Sequence, residues 1–125
     1  MKQLFRSILV LTFLLQTINS LQAQAPNYVN GTWNMSVETS AGSGSPIFVL
    51  KHITDTTLEG TYRGQLGEAD VKGTLKGNKI FLSFEISGNL IEYSGLVDGN
   101  NMKGTVKLGS MGEGSFSGIR NKQDL

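Results

Sequence analysis

Cysteine is absent from this sequence of 125 residues, histidine and tryptophan occur once each, and proline occurs twice. Without cysteine there is no disulfide framework, no thiolate metal ligand, no cysteine nucleophile and no lipid attachment through cysteine. A lone His52 excludes a multi-histidine metal site and leaves one candidate for any histidine-dependent chemistry. Charge of one sign is not in excess either. Eleven basic residues face ten acidic ones, which argues against the broad positive field that nucleic acid requires. At this length one domain fits, with no separate catalytic and binding modules. What the chain does have is glycine: 16 residues, well above the ~7% of average usage and without the collagen period.

The chain begins with the pattern of an export signal. Lys2 and Arg6 supply a positive start, residues 8–15 an apolar centre, and Ala23 and Ala25 the small residues of a cleavage site. The apolar run is about half of what spans a bilayer, so no membrane span is expected. Cleavage after Ala23 avoids a cut directly before Pro26 and places the mature protein outside the cytoplasm, secreted or periplasmic. It removes Lys2 and Arg6, leaving nine basic residues against ten acidic, and every glycine stays in the mature chain, from Gly31 onward. Residues 24–30 read as an N-terminal arm, 31–120 as the folded domain and 121–125 as a flexible tail.

From Gly31 no stretch carries helical periodicity over ten residues; two-residue alternation recurs instead, cut by Gly, Asn, Asp and Ser. Trp33, Met35 and Val37 share one face, and Ile80, Leu82, Phe84 and Ile86 form the longest clean apolar face. Ala41–Pro46 reads as a loop, Lys76-Gly77-Asn78 as a tight hairpin and Asp98-Gly99-Asn100-Asn101 as the strongest turn. Eight sequential strands with short connections result. Such a sheet leaves two exposed edges unless it closes, so the expected fold is all-β, an eight-stranded antiparallel up-and-down β-barrel, with a β-sandwich as the alternative. Gly60, Gly73, Gly95, Gly104 and Gly118 recur at inward positions of these strands. They either allow sharp coiling of a filled barrel or leave room for a ligand.

Gly31-Thr32-Trp33 opens the first strand and Gly118-Ile119-Arg120 closes the last. Together they resemble the calycin superfamily of lipocalins, fatty-acid-binding proteins and avidins, and Leu58–Tyr62 looks like the third strand of avidin-type chains. The resemblance implies that Trp33 and Arg120 form a structural plug, the guanidinium lying on the indole and closing one end. The lipocalin C-terminal helix has no counterpart here, and the biotin-gripping residues of avidins are not matched.

With Trp33 at the closed end, strand direction sends the connections at 41–46, 65–68, 87–89 and 109–113 to the open end. Leu66-Gly67-Glu68 and Met111-Gly112-Glu113 then place two apolar side chains and two carboxylates on one rim. Tyr62 and Tyr93 fall on inward faces as polar handles, with Phe48 and Phe84 as walls, so the candidate ligand site comprises Phe48, Tyr62, Leu66, Glu68, Phe84, Tyr93, Met111 and Glu113. No dense carboxylate cluster suggests a metal, no motif suggests a cofactor, and no serine elbow or phosphate loop suggests catalysis. Outward-facing Ile47, Val49, Phe81 and Leu96 are candidates for self-association or for docking on another protein. Binding of a small apolar or amphipathic ligand at the open end is the leading expectation. The alternatives are a protein-interaction module of the protease-inhibitor kind, using the N-terminal arm, and a calycin-like isomerase using Tyr and Glu.

Overall fold

A computed structural model describes residues 28–121. The expected signal peptide, residues 24–27 of the arm and residues 122–125 of the tail lie outside the described residues. The strands are β1 (Gly31–Thr39), β2 (Gly42–Gly44), β3 (Ile47–His52), β4 (Thr57–Gly64), β5 (Gly67–Lys76), β6 (Lys79–Ile86), β7 (Asn89–Asp98), β8 (Asn101–Lys107) and β9 (Glu113–Arg120). A 3-10 turn, Gly109–Met111, precedes β9. Every neighbouring pair is antiparallel, and β1 returns to β9 over seven residue pairs from Trp33↔Arg120 to Thr39↔Gly114. That seam closes the sheet into a barrel and excludes the sandwich.

The barrel has eight staves because β2 and β3 together make one. Residues 41–46 do not form the loop expected from their composition. Ser40 and Ala41 turn tightly, with the Ala41 N–H donating to Thr39 Oγ1 at 3.1 Å, and Gly42–Gly44 pairs back onto Val37–Thr39. The reason is backbone chemistry: unpaired N–H and C=O groups at a strand end take any available ladder. Pro46 then interrupts the stave. It has no N–H, but its carbonyl still accepts from the Met35 N–H at 2.9 Å.

The interior is filled along most of its length. Alternate residues of every long strand point inward, and Trp33, Phe48, Leu82, Ile91 and Val106 are fully buried. Phe48 packs edge-on to Tyr62 and Tyr93 at 5.4 and 5.0 Å, Phe84 stacks on Tyr62 at 4.3 Å, and Phe116 meets Tyr93 at 5.0 Å. The inward glycines belong to this filled region. A methyl group at Gly60 would strike the Val49 carbonyl oxygen, and at Gly104 the Ser94 carbonyl oxygen. At Gly118 it would strike the Met35 sulfur. These glycines let strands coil tightly and let methionine fill the space; they do not hollow the barrel.

The end holding Trp33 is sealed. Arg120 lies with its guanidinium carbon 5.0 Å from the Trp33 ring centre. Its Nη1 donates to the carbonyls of Tyr28 and Asn30 at 2.8 and 3.0 Å, Nη2 to that of Gly99 at 3.1 Å, and Nε to Asn100 Oδ1 at 3.0 Å. Among the described residues no carboxylate pairs with it, and burial disfavours its charged form. Trp33 Nε1 donates to the Val29 carbonyl at 2.9 Å, so the last arm residues, with Val29 fully buried, are part of the plug. His52 Nε2 accepts from the Val29 N–H at 3.1 Å, which assigns the ring hydrogen to Nδ1, facing the Thr54 carbonyl at 3.0 Å. Asn121 donates its N–H to the Thr32 carbonyl at 2.7 Å.

Candidate functional site

The opposite end is built differently. The turns at 40–41, 65–66 and 87–88 and the 3-10 segment before β9 all gather there, as the strand directions require. Between the first two turns and that 3-10 segment lies a pocket of about 190 Å³. Its floor is Tyr62 and Tyr93; its sides are Val37 and Thr39 of β1, the Ala41–Gly44 return, Pro46, Gln65, Leu66, Leu108 and Met111. Among the described residues no charged side chain lines it.

Two glycines leave this space open, in contrast to those below. At Gly42 an added methyl would touch nothing within 4 Å, although φ of +126° reserves the position for glycine. At Gly44 the nearest atom would be Gln65 Oε1 at 3.5 Å, an ordinary contact. Thus the glycines serve tight coiling in the body of the barrel, left-handed turns such as those at Gly77 and Gly99, and, at Gly42 and Gly44, space beside the mouth pocket.

The two tyrosines give the floor its chemistry. Burial raises the pKa of both phenols. At Tyr62 the Leu66 backbone N–H works in the opposite direction, while at Tyr93 the neighbouring Tyr62 oxygen adds to the rise. Both therefore stay protonated and neutral well into alkali. The Tyr93 hydroxyl has no hydrogen-bond partner among the described residues, yet no buried side-chain oxygen or nitrogen is left orphaned. Its oxygen therefore reaches the open space of the pocket, free to donate to and accept from whatever enters.

The structure brings together half of the expected site. Tyr62, Leu66, Tyr93 and Met111 line the pocket, and Phe48 and Phe84 pack beneath the two tyrosines. Glu68 and Glu113 do not converge over the mouth. Glu68 stands on the outer face, its carboxylate 3.0 Å from Arg63 Nε, and Glu113 is exposed at the start of β9. Inward positions of β5 are odd-numbered through Val71 and Leu75, and those of β9 even-numbered through Phe116, so both glutamates point outward. Val37, Thr39, Pro46, Gln65 and Leu108 were not expected at the site. For Val37 and Thr39 the signal was available, since they share parity with Trp33.

Outside the pocket, Ile47, Val49 and Leu96 are exposed, as is Ile119. Phe81 is only half-exposed and pairs with Ser94, while Leu96 pairs with Lys79, so the two apolar side chains are diagonal rather than adjacent neighbours. Among the described residues no group of three His, Asp or Glu side chains is placed to hold a metal, and no helix is long and apolar enough to cross a membrane.

No protein-family model matches the chain, and no curated protein matches it. Among solved structures it is similar to a de novo designed fluorescence-activating β-barrel, with a TM-score of 0.59 at 18% identity, over 75% of this chain and 94% of the designed one. A likeness at that identity concerns the fold alone.

Proposed function

We propose that this barrel is a small-molecule-binding protein whose ligand sits in the mouth pocket, ring or apolar end on the Tyr62–Tyr93 floor. The observation that carries this is the free Tyr93 hydroxyl opening into an otherwise uncharged, largely apolar pocket. A polar group held inside apolar walls is how small-ligand sites fix orientation. The size is below the ~300–1,000 Å³ of sites that take drug-sized molecules, which favours a compact ligand. The designed barrel of similar plan is described as fluorescence-activating, which is in keeping with a ligand-binding use of this fold. The export pattern of residues 1–23 supports a secreted or periplasmic location, and the Trp33–Arg120 contact supports a calycin-type ancestry.

The test is ligand-observed NMR with 4-ethylphenol, backed by native mass spectrometry of protein purified from its own host. Binding is expected to weaken about fivefold in Tyr93→Phe, the worth of about one hydrogen bond. It should vanish in Leu66→Trp, which fills the mouth. No binding by the parent protein, or equal binding by the Leu66→Trp variant, would overturn the proposal.

A further inference from the structure

The wall beside the pocket is incomplete. The β3–β4 ladder ends at Ile47↔Arg63, and above that level β2 pairs only with β1, while Gly64 pairs with Gly67 inside its own hairpin. The interruption at Ser45–Pro46 therefore opens a seam between β2 and the β4–β5 tip. On the outer side of the seam runs a groove of about 580 Å³ lined by Ser36, Glu38, Ser43, Ser45, Gly64 and Gln65, with Val37 and Gly44. Four of these residues, Val37, Ser43, Gly44 and Gln65, also line the inner pocket. What separates the two spaces at Gly44 is a residue without a side chain and the exposed Gln65 amide beside it.

The two compartments differ in chemistry. The inner one is uncharged and floored by phenols. The outer one carries three serines, and among the described residues Glu38 is the one charged side chain lining it. Arg63, the nearest cation along β4, is already paired with Glu68 on the neighbouring strand. Resting on the proposed use of the mouth pocket, we infer that the ligand spans both: an aromatic ring inside, a short chain crossing the seam at Gly44, and a cationic amine in the outer groove on Glu38. The class is an arylalkylamine.

Two probes separate the compartments. 4-Ethylphenol and tyramine share the ring and the two-carbon chain and differ by the ammonium group. Titration calorimetry on the purified protein should show tyramine binding roughly three- to fivefold more tightly, as an exposed ion pair provides. That advantage should shrink as salt rises from about 20 mM to about 0.5 M. Glu38→Gln should erase it while leaving the affinity for 4-ethylphenol unchanged. Equal binding of the two probes, or a tyramine advantage that survives Glu38→Gln, would overturn the outer compartment alone. Failure of 4-ethylphenol to bind would remove the inner site, and this inference with it.

Discussion

The two ends of the barrel use the same strands and opposite packing. At the closed end, Arg120, Trp33, His52 and residues 28–30 interlock by hydrogen bonds, with Trp33, Val29 and Arg120 buried and the exposed Tyr28 ring stacked on His52. At the open end, glycines leave space, Tyr93 keeps an unpartnered hydroxyl, and one stave is broken by Pro46. Stability is concentrated where polar groups are satisfied and apolar volume is filled. Capacity to bind is left where neither is complete. A disulfide-free domain of this size has a limited reserve of stability, so loosening confined to one end is the arrangement that preserves the rest.

The largest expected break of this contrast is Trp33→Ala. Truncating a fully buried tryptophan costs about 3–5 kcal/mol, a large share of the ~5–15 kcal/mol typical of a whole domain. Met111→Ala at the mouth should cost under about 1 kcal/mol, because Met111 is already 37% exposed. Urea unfolding midpoints at unchanged slope measure both. Comparable losses would mean that the open end carries as much of the fold as the plug.

Glycine substitutions sharpen the comparison. Gly104→Ala places a methyl on the Ser94 carbonyl and is expected to cost about 1–3 kcal/mol as the strands are forced apart. Gly44→Ala meets only ordinary contacts and restricts the unfolded chain, so it should be neutral or up to about 1 kcal/mol stabilising. Thermal unfolding of the two single variants decides the matter. Equal destabilisation would remove the distinction between coiling and space-leaving glycines.

Much of this was legible in the sequence because strand geometry writes itself with period two. Alternation through Trp33, Met35 and Val37, or Ile80, Leu82 and Phe84, marks faces, and the turns at Gly77-Asn78 and Gly99-Asn100 mark hairpins. Closure followed from the cost of two open edges. The plug was legible only through the calycin resemblance of Gly31-Thr32-Trp33 and Gly118-Ile119-Arg120, and the contact is present in the structure. β2 was not, because Gly42-Ser43-Gly44 has neither strand propensity nor an apolar face; only backbone pairing makes it a strand. The mouth was half legible. Parity carries Tyr62 and Tyr93 inward and, phased on Val71, sends Glu68 outward. Gln65 and Pro46 sit where alternation stops, so no periodic signal reaches them.

The smallest expected effect lies in alkali and returns to the hydroxyl at the mouth. Burial raises the pKa of Tyr93 and Tyr62 above the ordinary phenol value of about 10. The folded state therefore keeps protons that the unfolded chain sheds. The stabilisation from these neutral phenols is fully present below pH ~10 and is lost as pH rises from there through the folded-state values, each tyrosine contributing at most about 1.4 kcal/mol per pH unit. At neutral pH, Tyr93→Phe removes a hydroxyl with no protein partner and should leave stability within about 0.5 kcal/mol of the parent. Between pH ~10 and ~11 the variant should lose stability less steeply than the parent, by up to about 1 kcal/mol over that unit. Urea midpoints followed across that range for both proteins test this. Parallel decline would show that Tyr93 is as accessible to hydroxide as a surface phenol, and the floor of the mouth would then be wet rather than apolar.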